Sequence, residues 1–126
     1  MVKRNGIPER QKSLANYPFS RGKYMKLAYI AGPYRDDRGA WYIRQNIRKA
    51  EDVGIELLKM GYIPIVPHKL MGLWDGIVPD DIFLQCGLEI LKRCDLIVML
   101  PEWENSEGAC IEKLFQFTIG LKIRIF

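Results

Sequence analysis

One carboxylate in this chain follows a buried-looking strand at a spacing that suits chemistry. The stretch "ENSEGACIE", Glu104 to Glu112, comes only three residues after the apolar run "LIVML". Asn105 or Ser106 is of the type that caps a helix, so Glu112 is predicted in the second turn, near the positive end of that helix. There an ionised carboxylate can attack an electrophilic carbon, or it can simply stabilise the start of the helix.

The start of the same predicted helix is suited to an anion. Gly108 has no side chain to hold a ligand away from the backbone, and unpaired N–H groups at a helix start attract phosphate. Arg35 and Arg38 lie in a loop farther up the chain. They could bind a phosphate or could be solvated loop charges, and the interpretation as solvated charges is slightly favoured.

A second candidate loop begins in the segment Tyr29–Tyr34, "YIAGPY". Gly32 and Pro33 end a strand-like run, a pattern that suits either an ordinary turn or a loop along a ligand. The sequence has neither a G-x-G-x-x-G motif nor the lysine motif of a P-loop. Dinucleotide binding and phosphoryl transfer through a P-loop are therefore weakly supported.

Three other residue types could serve a ligand but have simpler interpretations. His68 follows Pro67 at the end of a predicted strand and is interpreted as a polar loop residue rather than a catalyst. Trp74 and Trp103 could stack on a base, and they could equally cover the core.

Alternating strands and helices must position these residues. Strands are predicted over residues 25–34, 62–68, 95–100 and 121–126, and helices over 40–61, 81–94 and 106–120. Pro64 cannot donate to a ladder, so the second strand is predicted at a sheet edge or as starting at that proline. The apolar spacing assigns Leu58 of the first helix and Ile82 of the second to the core.

This alternation predicts one α/β domain with three layers, α/β/α, around a mostly parallel sheet of four to five strands. In such sheets ligands bind beyond the carboxyl ends of the strands, where the strand order reverses. The loops 31–39 and 101–108 both leave carboxyl ends. If their strands are neighbours, the two loops meet over one crevice.

Composition limits the class of protein. The chain has 126 residues, of which 48% are hydrophobic and 27% charged, as in a globular domain. No apolar run is long enough to span a membrane, and the N-terminus lacks the apolar middle of a signal peptide. The three cysteines, Cys86, Cys94 and Cys110, form no close pair, so they are expected to be reduced thiols in a cytoplasmic protein. With one histidine and no paired cysteines, a zinc site is not expected. No other metal and no cofactor is predicted.

The positive charge lies mostly in the first 24 residues. They contain six Lys and Arg residues against one Glu, so residues 25–126 have a net charge of −1 although the whole chain has +4. Residues 1–24 are therefore predicted to be a basic, poorly ordered tail, and residues 25–126 the folded domain. A nucleic-acid-binding face on the core is not expected.

Several stretches together resemble a known family. They are "YIAGPY", "MGYIPIVPH" and "LKRCDLIVMLPEWENSEGACIE", followed by a short closing strand. These residues are similar to the nucleoside 2-deoxyribosyltransferase-like superfamily, and more narrowly to its small bacterial and phage branch, DUF4406. The similarity covers residues 25–126, and its most specific part is the spacing of Ser106, Gly108 and Glu112.

The resemblance implies a flavodoxin-like (Rossmann-like) domain that cleaves or transfers the N-glycosidic bond of a nucleoside or nucleoside 5′-monophosphate. Glu112 matches the family's nucleophile, and Tyr29 matches a tyrosine that positions it. Ser106 matches a phosphate-binding serine of the nucleotide hydrolases. The remaining substrate-binding residues that it implies are Gly32, Pro33, Tyr34, Asn105 and Gly108. A homodimer or higher homo-oligomer is likewise implied.

One position departs from the family pattern. Active members carry an aspartate before the third strand that is thought to protonate the leaving base, and the matching residue here is Gly87. Asp80, Asp81 and Glu89 are candidate substitutes in other turns or on another face. The alternative functions are a nucleotide-binding or sensing module that has lost catalysis, and a structural interaction domain.

Overall fold

Four short strands form the centre of the domain. The computed structural model describes residues 25–70, 72–74 and 76–126, except for the side chain of residue 73. The predicted tail, residues 1–24, lies outside the described residues. The strands are β1 (Leu27–Ala31), β2 (Ile63–Ile65), β3 (Leu96–Met99) and β4 (Lys122–Ile125).

All described strands pair in parallel, in the order β2-β1-β3-β4. This order matches the first four strands of the flavodoxin-like arrangement, in which the chain adds strands on one side of β1 and then returns to the other. The predicted α/β class with a parallel sheet is therefore confirmed. Pro64 pairs with Ala28 in the edge strand β2, as the proline requires.

Within the described residues, four helices connect the strands. They are α1 (Ala40–Lys59), the single turn α2 (Pro67–Leu70), α3 (Asp80–Lys92) and α4 (Glu107–Ile119). Two 3₁₀ turns, Gly72–Trp74 and Trp103–Asn105, lie in the loops before α3 and α4. None of the helices in the described part of the chain is both long and apolar enough to cross a membrane.

The sheet separates two hydrophobic clusters, because successive side chains of a strand point to opposite faces. The cluster under α1 contains Ala28, Ile30, Ala50, Leu57, Leu96, Val98 and Leu100. The cluster under α3 and α4 contains Tyr29, Ala31, Leu91, Cys94, Ile97, Met99 and Ala109. Tyr29 is thus turned towards α3 and α4, and its side chain is fully buried.

Three local predictions were wrong. The second strand does not reach His68, because the chain turns into α2 at Pro67, a residue suited to the first position of a helix. Leu58 is 55% exposed and Ile82 is 43% exposed, so neither belongs to the core. Each lies next to the apolar stripe of its helix, where a 3.6-residue period leaves the edge of the stripe in solvent.

The ends of α4 have the capping residues that the sequence indicates. The hydroxyl oxygen of Ser106 accepts a hydrogen bond from the backbone N–H of Ala109 at 3.1 Å, so Ser106 rather than Asn105 is the N-cap. At the other end Gly120 has φ of +71°, a left-handed conformation that glycine adopts without strain.

This cap gives a stability prediction. Ser106→Ala removes the acceptor for the Ala109 N–H and should lower the free energy of unfolding by about 1 kcal/mol. Ser106→Asp keeps a side-chain acceptor and should lower the free energy of unfolding by less than Ser106→Ala does. Urea denaturation followed by circular dichroism measures both, and equal losses in the two variants would contradict the capping role.

Candidate active site

The loops after β1 and β3 leave the sheet side by side. β1 and β3 are neighbours, and beyond their last pair the N–H of Leu100 donates to the carbonyl of Ala31 at 2.9 Å. A Cβ at Gly32 would lie 2.6 Å from Leu100 Cδ1, so only glycine fits this crossing. The loops meet at the point where strand order reverses, as the sequence predicted.

A cavity of about 660 Å³ opens between these loops, α3 and α4. Its volume lies within the range of small-molecule sites. All eight residues predicted for the site line this cavity: Tyr29, Gly32, Pro33, Tyr34, Asn105, Ser106, Gly108 and Glu112. The structure therefore brings together residues that are up to 83 positions apart in sequence. Their roles remain predictions.

A tyrosine–glutamate pair lies against this cavity. The Tyr29 hydroxyl, delivered by β1, donates a hydrogen bond to Oε2 of Glu112, delivered by the second turn of α4. Oε1 of Glu112 accepts no hydrogen bond from any residue in the described ranges. The Tyr29 hydroxyl therefore holds the carboxylate through one of its two oxygens.

Burial controls the ionisation of this pair. It raises the pKa of Glu112 to about 7, although the hydrogen bond from Tyr29 acts in the opposite direction. Burial, and then the charge of Glu112, raise the pKa of Tyr29 far above its ordinary value, so Tyr29 remains a hydroxyl donor. Near neutral pH, Glu112 therefore exists both as carboxylate and as carboxylic acid.

The start of α4 forms a polar wall of the cavity. Ser106, Glu107, Gly108 and Ala109 all line it. The nearest atom to a Cβ at Gly108 would be Ser106 Oγ at 4.0 Å, so packing does not require a glycine there. The glycine leaves the cavity side of this first helical turn without a side chain.

The sequence named Asp80 and Asp81 of α3 only as candidate substitutes for a catalytic acid, and it did not predict that this helix forms a wall of the cavity. Asp80, Asp81, Phe83 and Leu84 line the cavity from the first turns of this helix. Arg35 pairs with Asp80 at 2.6 Å and links the loop after β1 to the start of α3 across the cavity rim. The sequence shows that Asp80 and Asp81 lie together at the start of a predicted helix, but it does not indicate that they share a cavity with Glu112.

His68 differs from its predicted role as a polar loop residue. It lines the cavity but is only 6% exposed, and its ring lies edge-on to Tyr34. Nε2 is 3.0 Å from the carbonyl oxygen of Pro33, so Nε2 carries the hydrogen and donates it. Burial lowers the pKa of His68, which keeps the ring neutral at pH 7.

The three candidate substitutes for a catalytic aspartate differ in their position relative to the cavity and in their ion pairs. Glu89 pairs with Lys92 and Arg93 on the outer surface of α3 and is not among the residues that line the cavity. Asp80 is engaged by Arg35, while Asp81 lines the cavity at an exposed position. Gly87 is buried directly against Tyr29 and Glu112 and supplies no acid.

The tryptophans and Arg38 do not line this cavity. Trp103 packs on the core beneath α3 and α4, whereas Trp74 is 55% exposed. Arg38 is held by both carboxylate oxygens of Asp36 and lies over the Tyr42 ring. Among the described residues, no group of three His, Cys, Asp or Glu side chains is arranged to hold a metal ion.

The arrangement has the parts that nucleophilic substitution at carbon needs. A carboxylate oriented by a hydroxyl can attack an electrophilic centre, and the open start of α4 can hold an anionic group of the same ligand.

A family model described as "Domain of unknown function (DUF4406)" matches residues 25–125, which is most of the chain. No curated protein matches the chain significantly.

The raised pKa of Glu112 makes stability depend on pH. Because the folded state holds this proton more tightly than the unfolded state, Glu112 reduces stability as pH rises from about 4.5 to about 7. The Glu112→Gln side chain carries no charge. The free energy of unfolding of this variant, relative to that of wild type, should therefore rise by up to about 3 kcal/mol when the pH is raised from 4.5 to 8.

Urea denaturation at the two pH values measures this difference. Glu89→Gln is the control, because Lys92 and Arg93 lower the pKa of Glu89, and its pH effect should have the opposite sign. If Glu112→Gln changes the free energy of unfolding equally at both pH values, the raised pKa of Glu112 is contradicted.

Proposed function

This chain belongs to the DUF4406 family, and we propose that it cleaves the N-glycosidic bond of a nucleoside or nucleoside 5′-monophosphate. Glu112 is the proposed nucleophile and Tyr29 the group that orients it. The observation that carries the proposal is the hydrogen-bonded Tyr29–Glu112 pair beside a cavity at the strand-order reversal. The resemblance to the nucleoside 2-deoxyribosyltransferase-like superfamily supports the same chemistry.

In the proposed first step, a carboxylate oxygen of Glu112 forms a bond to the anomeric carbon of the sugar. The bond from that carbon to the base nitrogen breaks, and its electron pair leaves with the base, which takes a proton from water. The Tyr29 hydroxyl fixes the direction of the carboxylate throughout. The product of this step is a glycosyl ester of Glu112.

In the proposed second step, water or another base attacks the anomeric carbon from the opposite side. The ester bond to Glu112 breaks, the carboxylate is restored, and the attacking group loses a proton. Two displacements at one carbon give overall retention of configuration. Whether water or a base enters decides between hydrolysis and transfer.

The start of α4 is suited to the 5′-phosphate in this scheme. Ser106 Oγ already accepts the Ala109 N–H, yet its hydroxyl hydrogen is still available to donate to a phosphate oxygen. The N–H groups beside Gly108 and the helix dipole favour the same negative charge. A nucleoside 5′-monophosphate is therefore the preferred substrate class.

A second candidate function is non-catalytic binding of a nucleotide. The observation that favours it is Gly87, a residue without a side chain at the position where active members of the resembled superfamily carry an aspartate. General acids of this kind contribute about 10²–10⁴ in rate. Without one, the same cavity would bind a nucleotide and release base slowly or not at all.

Base release tests the proposal directly. The purified protein is incubated with deoxynucleoside 5′-monophosphates and with the matching nucleosides, and free base is measured by chromatography. We expect release from at least one monophosphate, with the nucleosides slower. Glu112→Gln should lower the rate more than about a thousandfold, because the nucleophile is lost.

Glu89→Gln, on the outer surface of α3, is the matched control and should release base at the wild-type rate. A ligand that raises the melting temperature without any base release would favour the binding module instead. Base release that survives in Glu112→Gln would contradict the assignment of the nucleophile.

A further inference from the structure

Gly87 lies in the middle of α3, where its backbone contacts the tyrosine–glutamate pair. A Cβ at this position would lie 2.7 Å from the Tyr29 hydroxyl oxygen and 3.4 Å from Oε2 of Glu112. The first distance is closer than Cβ atoms approach other heavy atoms. Gly87 is buried, so an added side chain has no direction in which to avoid the contact.

Local helix preference does not explain this glycine. Glycine in a helix interior is less favourable than alanine, because it loses more backbone freedom on folding. Gly54, in the interior of α1, differs in this respect. A Cβ there would meet Pro64, Val66 and Ile30 at 3.6–3.7 Å, which are ordinary contacts.

We propose that Gly87 is a positioning residue for Glu112: its missing side chain leaves the space in which the Tyr29 hydroxyl stays hydrogen-bonded to the carboxylate. The backbone of Tyr29 cannot retreat from a larger residue, because its strand is paired on both sides, so only the far end of the side chain can shift. A methyl group at position 87 therefore displaces the hydroxyl from Glu112 instead of moving the strand.

The displacement changes how Glu112 titrates. Loss of the Tyr29 hydrogen bond removes the contact that lowers the pKa of Glu112, while burial, which raises this pKa, remains. The other titratable groups that share its cavity stay in place in the variant. They come from the loop after β1, from α2, from α3 and from α4 itself: Tyr34, Arg35, His68, Asp80, Asp81 and Glu107.

A carbon-13 NMR titration of glutamate side-chain carboxyl carbons measures this effect without any substrate. The Glu112 signal is assigned by its disappearance in Glu112→Gln. In Gly87→Ala we expect its midpoint to move upward by about one pH unit, the equivalent of one lost hydrogen bond. Gly54→Ala is the control, and its Glu112 midpoint should equal that of wild type.

A double-mutant cycle with Tyr29→Phe separates the hydroxyl contact from general disruption. Tyr29→Phe removes the atom at 2.7 Å, and the next ring atom, Cζ, is 3.9 Å from the added Cβ. Gly87→Ala should therefore lower the melting temperature of the wild-type protein but raise that of the Tyr29→Phe protein. The control Gly54→Ala should raise the melting temperature of both proteins.

Two results would overturn the proposal. One is a Gly87→Ala protein whose Glu112 midpoint and melting temperature change as in Gly54→Ala. The other is an equal loss of melting temperature from Gly87→Ala in both backgrounds. If Gly87→Ala does not fold alone, a folded Tyr29→Phe/Gly87→Ala protein supports the proposal, and an unfolded one contradicts it.

The consequence for catalysis rests on the proposed function, whereas the titration and the cycle do not. If wild type releases base, Gly87→Ala should lower kcat with little change in KM, and its pH profile should shift upward with the Glu112 midpoint. Absence of base release from wild type would count against the proposed function alone. An unshifted midpoint in an active Gly87→Ala protein would count against the role of Gly87 alone.

Discussion

A half-buried carboxylate without a basic partner is the constraint around which this domain is organised. Removing a charge from water is costly, and no described lysine, arginine or histidine forms an ion pair with Glu112. The Tyr29 hydroxyl instead donates a hydrogen bond to Glu112, which offsets part of the cost of removing the carboxylate from water. The pair therefore needs accurate placement by three elements: β1 carries the donor, α4 carries the acceptor, and α3 approaches them through a glycine.

The topology explains why a ligand can reach this pair. Both central strands end at the same edge of the sheet, and the loops that follow must diverge to opposite layers. Gly32 allows the first loop to cross Leu100 closely, and Ser106 starts α4 at the opposite wall. The cavity between them places an anion-attracting helix start and a carboxylate within reach of one small molecule.

Local features of the sequence predicted much of this. The unbroken apolar run of β3, the edge position of Pro64 and the caps of α4 follow from rules that act over a few residues, and each agrees with the structure. The burial of His68 and the contact of Gly87 with Tyr29 depend on packing between distant elements. No local spacing encodes that packing, so neither could be read from the sequence.

The central claim is that Glu112 bonds covalently to the sugar. Mass spectrometry of the acid-quenched protein after incubation with a turned-over deoxynucleoside 5′-monophosphate measures this most directly. The account predicts a deoxyribose phosphate adduct on the peptide that contains Glu112, and no adduct in Glu112→Gln. Base release without any adduct on that peptide, or an adduct on another residue, would contradict it.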